Sequence, residues 1–290
     1  MIHTSFRLME KGLRNDTHFP FYVYDIPCHA GKNAIHPHWN EETEILLAGS
    51  DGIIEIDAEE YLYKAGDILF INGEQLHKAT AHTDGNFFVV VFPYDFLEFK
   101  YSDRCQTDIL DRLKAGQMRF PPLLSKSNPA YEEVRRCLKD IIAVYFSNTV
   151  GREIKMKACM YDILFWCYTH QVFERVDTPD IARQAQSLTY VKAAMAYMDA
   201  NLASPITMDD LADQVGLHKN YLSRLFREIT GTTPILYLRQ IRLEHAAELL
   251  QTGLTVTQAA FSSGFNNISY FIKSFSDMYG VSPKQYAKER

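Results

Sequence analysis

The chain has 290 residues, of which 47% are hydrophobic and 23% charged, a composition that excludes a largely disordered polypeptide and suits about two domains, each with its own core. No run of about 18 apolar residues occurs that would span a bilayer. The net charge of -6 excludes a generally basic nucleic-acid binder, but the charge is uneven: 10 Lys and Arg face 9 Asp and Glu from Leu188 to Arg290, against 20 and 27 over the rest, so phosphates would be engaged only at chosen points.

The opening residues, MIHTSFRLMEKGLRND, lack the continuous apolar stretch of a signal peptide, which points to the cytoplasm. Cys28, Cys105, Cys137, Cys159 and Cys167 are odd in number and widely spaced. They predict reduced, mostly buried thiols rather than a disulfide framework or a cysteine-rich zinc site.

From about Phe21 to Phe99 short segments rich in Val, Ile, Phe and Tyr alternate with turn signals at Gly49 to Gly52, Ala65 to Asp67, Asn72-Gly73 and Asp84-Gly85. Strands at that spacing predict a sandwich or small barrel, placed over residues 1–125. Within it, H-W-N-E-E-T-E-I-L-L-A-G (His38 to Gly49) and A-G-D-I-L-F-I-N-G-E-Q-L-H (Ala65 to His77) resemble the two halves of a cupin motif. Metal-binding cupins use two histidines and a carboxylate from the first half and a histidine from the second, a donor set suited to borderline metals. Aligned by its glutamate, the motif reads His38-x-Asn40-x-x-x-Glu44 with His77, so asparagine replaces one histidine. Aligned instead as His36-x-His38-x-x-x-Glu42 with His77, the set is whole. His36, His38, Asn40, Glu42 and Glu44 all carry even numbers, and a straight strand would turn them to one face. The reading adopted needs no cofactor: Tyr22, Tyr24, His36, His38, Trp39, Asn40, Glu44 and His77 form a patch that hydrogen-bonds a small effector, with rings able to stack on a carbohydrate. The alternatives are a metal held by His36, His38, Glu42 and His77, or polar rim residues with no ligand.

The connector over 126–174 shows two stripes spaced alternately by three and four, Tyr131-Val134-Leu138-Ile141-Tyr145 and Ile154-Ala158-Tyr161-Phe165-Tyr168-Val172. They predict a helical hairpin that closes a homodimer or covers the barrel's open face. Residues 175–187, polar and containing Pro179, read as a linker.

The last segment, 188–290, holds an internal repeat. YLSRLFREITGTTP (Tyr221 to Pro234) aligns without a gap on YFIKSFSDMYGVSP (Tyr270 to Pro283). Upstream, Leu211, Ala212, Gly216 and Leu217 correspond to Ala259, Ala260, Gly264 and Phe265 once the second copy is granted one extra residue. Each copy reads as helix, turn, helix: Thr207-x-x-Asp210 caps the first helix, Gly216 ends it in a left-handed conformation, and Leu222, Leu225, Phe226 and Ile229 form the inward stripe of the second. The helix Ile235 to Gln251, with Leu243, Ala246, Ala247 and Leu250 inward, joins the copies.

On the outward stripe of the first copy stand Asn220, Ser223, Arg224 and Arg227, whose donors and acceptors suit base edges and phosphates, with Lys219 placed for the backbone. In the second copy Asn267, Ser269 and Lys273 are outward, with Ile268 and Ile272 able to touch thymine methyls. Arg227 is matched there by Ser276, followed by Asp277, so the first copy is expected to carry more affinity.

The stretch A-x-x-x-G-F-x-x-x-S-Y-F-x-K-x-F (Ala260 to Phe275), followed by G-V-S-P-x-x-Y, resembles the AraC family, the likeness covering about Tyr190 to Tyr286. Ala259 stands where the family usually has isoleucine, and Ser276-Asp277 where it has a basic pair. The resemblance implies an α+β two-domain protein, with a cupin-like sensory β-barrel and helical hairpin followed by an all-α double helix-turn-helix. It implies a transcription regulator that binds double-stranded DNA, responds to a small molecule, and would touch RNA polymerase if an activator. The rival expectation is a cupin enzyme or metal sensor carrying a DNA-binding tail.

Overall fold

The computed structural model describes residues 19–147, 149–176 and 182–288. The expectation about a leader, and residues 177–181 of the expected linker, lie outside them. The chain separates into one unit over 13–180 and another that holds 181–290.

The first unit is built on strands β1 (Tyr22–Cys28), β2 (Lys32–His38), β3 (Thr43–Ala48), β4 (Gly52–Ile56), β5 (Glu59–Tyr63), β6 (Ile68–Ile71), β7 (His77–Ala81) and β8 (Gly85–Phe92). Short strands β9 (Met118–Arg119), β10 (Leu123–Leu124) and β11 (Glu174–Arg175) follow, with β9 and β11 paired to each other. A five-stranded sheet runs β1-β8-β3-β6-β10 and a four-stranded sheet β2-β7-β4-β5, with antiparallel pairing in both. Because successive strand residues point to opposite faces, the large sheet is apolar on both. Phe21, Val23, Ile45, Phe70, Val90 and Phe92 join one core with helices α2 (Tyr131–Phe146) and α3 (Arg152–Thr169). The alternate residues, among them Tyr22, Tyr24, Glu44, Leu46 and Val89, occupy the face toward the small sheet and are buried as well.

Two details depart from the sequence reading. Between the barrel and the hairpin the chain forms a π-helical turn, Gln106–Leu110, that runs into α1 (Asp111–Lys114). In α2 the expected stripe is buried at Tyr131, Val134, Leu138 and Ile141. In α3 the expected stripe is split: Ile154, Ala158, Phe165 and Tyr168 are exposed, Tyr161 is half-buried and Val172, just past the helix, is buried, while Met156, Cys159, Met160, Ile163, Leu164 and Cys167 of the other face are buried. This helix carries apolar residues on both faces, so periodicity alone could not say which one meets the core.

The second unit holds α4 (Ala182–Ala200), α5 (Met208–Val215), α6 (Lys219–Thr230), α7 (Pro234–Gln251), α8 (Val256–Ser262), α9 (Ile268–Tyr279) and α10 (Pro283–Tyr286). Its helical start at Ala182 corrects the expected linker, because residues 182–187 belong to α4. Helix α7 is shared. Its first half buries Tyr237, Leu238 and Ile241, with Tyr237 against Phe226 of α6 at 5.5 Å between ring centroids. Its second half places Leu243, Ala246, Ala247 and Leu250 in a core with Ala259, Ala260, Phe271 and Phe275.

Candidate nucleic-acid interface and ligand chamber

Each repeat copy is delimited by local hydrogen bonds that its sequence specifies. At the start of α5, Thr207 Oγ1 accepts from the Asp210 amide at 3.2 Å while the Asp210 carboxylate accepts from the Thr207 amide at 2.7 Å, satisfying two otherwise orphaned donors. Gly216 closes α5 at φ 68° and the Leu217 amide returns to the Ala212 carbonyl at 3.0 Å, a left-handed turn that a Cβ would strain. The second copy repeats the scheme, with Thr255 and Gln258 capping α8 and Gly264 at φ 81° in the turn.

Helix α6 buries Leu222, Leu225, Phe226 and Thr230. The stripe differs from expectation at its end: Ile229 is half-buried, and Thr230 goes inside because its hydroxyl donates to the Phe226 carbonyl at 2.7 Å. The opposite face leaves Lys219, Asn220, Arg224 and Arg227 exposed and Ser223 half-buried. Arg224 lies over the Tyr221 ring at 5.5 Å and 3.6 Å from Glu228, and Lys219 lies 3.0 Å from Asp209. Such exposed pairs hold long side chains loosely and yield readily to a phosphate. On α9, Ser269, Ile272 and Lys273 are exposed and Ile268 is half-buried. Asn267 is the N-cap, its side-chain carbonyl accepting from the Tyr270 amide at 2.9 Å. One lone pair of that carbonyl is thereby engaged within the helix. His218 caps α6 in the matching position, with Nδ1 accepting from the Asn220 amide at 3.3 Å. The sequence reading passed over this histidine, although the register Tyr221 to Tyr270 sets it opposite Asn267.

Inside the barrel, His38 and His77 are directly paired across β2 and β7, with ring centroids 4.2 Å apart. Glu44 comes from β3 on the other sheet. Its Oε1 lies 3.5 Å from His77 Nε2 and 3.8 Å from His38 Nε2, and it accepts a 2.8 Å hydrogen bond from the Asn40 amide. All three of His38, Glu44 and His77 are buried. His38 Nδ1 is 2.8 Å from the His36 carbonyl and His77 Nδ1 is 3.0 Å from the Gln75 carbonyl. Those bonds assign the proton to Nδ1 and leave an Nε2 lone pair toward Glu44. Burial lowers the His77 pKa from 6.5 to about 4, against a smaller raising effect of the Gln75 carbonyl, so the ring is neutral at pH 7.

Two imidazole nitrogens and a carboxylate oxygen within 4.8 Å of one another suit either hydroxyl donors or a divalent cation, since a metal-ligating histidine typically fixes its other nitrogen on a carbonyl. The set corrects the expected metal ligands. It takes His38, Glu44 and His77, and neither His36 nor Glu42 belongs to it. The even-number argument fails because β2 is irregular, with register shifts on either side of Ile35, and because Glu44 lies beyond a turn on the facing sheet. Tyr22 and Tyr24 are buried with ring centroids 6.4 Å apart, and Trp39 is half-buried.

A helix-turn-helix domain model matches residues 211–289. The TetD protein of transposon Tn10 from Escherichia coli is 32% identical over 103 residues, 35% of this chain and 75% of that protein. The crystal structure of a probable AraC family transcriptional regulator from Rhodopseudomonas palustris is 32% identical over 35% of this chain and 96% of that one, at a TM-score of 0.33. The chain belongs to the AraC family of transcription regulators. YdeC of Bacillus subtilis (strain 168), an uncharacterized HTH-type transcriptional regulator, is 22% identical over 281 residues, 93% of this chain and 92% of that protein. Other curated regulators are spanned over only 25% to 37% of their length. As an AraC-family regulator the protein is a DNA-binding transcription factor, and no described helix is long and apolar enough to cross a membrane.

Proposed function

We propose that this AraC-family regulator senses a small polar molecule in its barrel and reads DNA with α6 and α9. The observation that carries the sensing half is the convergence of buried His38, Glu44 and His77, with half-buried Asn40 donating to Glu44, between the two sheets. Polar groups are costly in such a place, and a chamber with a few converging ones selects its ligand by hydrogen bonding. Tyr22 and Tyr24 on the same sheet face favour a ring-bearing hydroxylated compound, a carbohydrate among them. On the DNA side, Asn220, Ser223, Arg224, Arg227, Ser269, Ile272 and Lys273 face the groove and Lys219 the backbone, with Asn267 and Ile268 contributing from the start of α9. The exposed stripe Ile154, Ala158, Phe165 and Tyr168 on α3 suits a homodimer contact. Regulation then requires the effector to bind one arrangement better than the other.

A second reading has its own support: the distances among His38, Glu44 and His77 fit a divalent metal, which would make the barrel a metal sensor. Thermal shift against a panel of sugars and metabolites, beside metal analysis of protein purified without chelator, separates the two. Under the first reading one compound stabilises the protein by about 2.7 kcal/mol at a hundredfold excess over its Kd. A stoichiometric metal that disappears in His77→Ala, with no compound stabilising, would replace it with the second.

A further inference from the structure

We infer that Arg242 is the residue that sets the distance between the two DNA-reading helices, and therefore the spacing of bases this regulator accepts. Arg242 lies on α7 between Ile241 and Leu243, the point where the shared helix passes from one core to the other. Its Nε donates to the Leu202 carbonyl at 3.0 Å and an Nη to the Ser204 carbonyl at 2.6 Å. Both carbonyls belong to the loop between α4 and α5, which opens the first module. The same guanidinium lies against Gly264, the turn of the second module. A Cβ at Gly264 would sit 2.8 Å from Arg242 Nε and 2.5 Å from the Leu202 carbonyl oxygen. The three groups meet at one point, Gly264 lying against both the Leu202 carbonyl and the Arg242 Nε that donates to it.

Besides this fork the modules are joined by α7, whose C-terminal end leads into α8 through Gly253 at φ 96°, and by the close approach of Gly264 to the Leu202 carbonyl. Arg242 is half-buried and burial lowers its pKa; a planar cation with fixed donors suits the joint, since its two bonds diverge at a set angle. The inference rests on α6 and α9 both entering the groove. One base pair moves a half-site by about 3.4 Å and about 34° around the duplex, so a rigid pair of modules rejects a changed spacer while a loose pair tolerates it.

The test begins with selection of a bound sequence from random duplexes by the full-length wild-type chain. Affinities for that duplex, and for versions with one base pair added or removed between the halves, are then compared in wild type, Arg242→Met and Arg242→Lys. Wild type is expected to lose about tenfold or more on either altered spacer. Arg242→Met should bind the parent duplex less well yet show less than a threefold preference among the three, and Arg242→Lys, which keeps the charge and one donor, should fall between them. Should Arg242→Met fail to fold, the Lys variant carries the comparison alone. Equal weakening on all three duplexes with the wild-type preference intact would overturn the inference, as would a wild type indifferent to spacing. A wild-type chain that enriches no sequence strikes instead at DNA reading by α6 and α9.

Discussion

Under the proposed DNA reading, Arg224 and Lys219 divide the work of one exposed helix. Arg224, whose fork can engage a guanine edge, is expected to cost about 1 to 3 kcal/mol at a single base position when replaced by alanine. Lys219→Ala should weaken all sequences alike, because a phosphate contact carries no base information. Affinities on singly permuted duplexes check both, and equal, sequence-independent losses would remove the distinction. In the barrel, His77 takes up a proton only near pH 4 when folded but near 6.5 when exposed. The unfolded chain therefore binds the proton first, and its stabilising effect is complete above about pH 6.5 and lost as pH falls toward 4. In chelator-treated protein, urea unfolding at pH 7.5 and 5 should show a fall of about 2 kcal/mol attributable to this ring, absent in His77→Gln. An unchanged difference between the two proteins would show that the ring does not stay neutral.

At the scale of elements, the turns were the most legible part of the sequence. Thr207, Asp210 and Gly216 are recognisable because capping needs particular side chains at particular offsets, and the structure places them accordingly. Thr207→Ala should cost about 1 kcal/mol. Gly216→Ala should cost a similar amount from backbone strain alone, since no heavy atom lies within 4 Å of the added methyl. Gly264→Ala should cost clearly more, because the Leu202 carbonyl is in the way at 2.5 Å; urea midpoints of the three variants rank them, and a Gly264→Ala protein as stable as Gly216→Ala would contradict the packing. Less legible were features that depend on what lies across a gap in sequence. The two alignments of the motif, through Glu44 or through Glu42, could not be told apart in the sequence; irregular pairing in β2 and strands on opposite sheets decide for Glu44. Which face of α3 meets the core was not legible because both of its faces are apolar. Asn267 reads as a base-contacting residue by position, yet its carbonyl is engaged in capping α9.

For the whole molecule, the proposed homodimer places its contact on the exposed apolar residues of α3. Sedimentation of the wild type should give a dimer, and Ile154→Glu with Phe165→Glu a folded monomer, since a charge on each partner cannot be desolvated cheaply; a wild-type monomer would dismiss the contact. The layered build of the barrel has a mechanical corollary. Glu44 and Ile45 are consecutive on β3, one in the buried cluster with His38 and His77 and the other embedded in the core shared with the helical hairpin. A strand has no slack between neighbouring residues, so whatever tugs on the carboxylate also tilts the isoleucine. One peptide unit is thus all that separates the His38, Glu44 and His77 cluster from the core that the helices share.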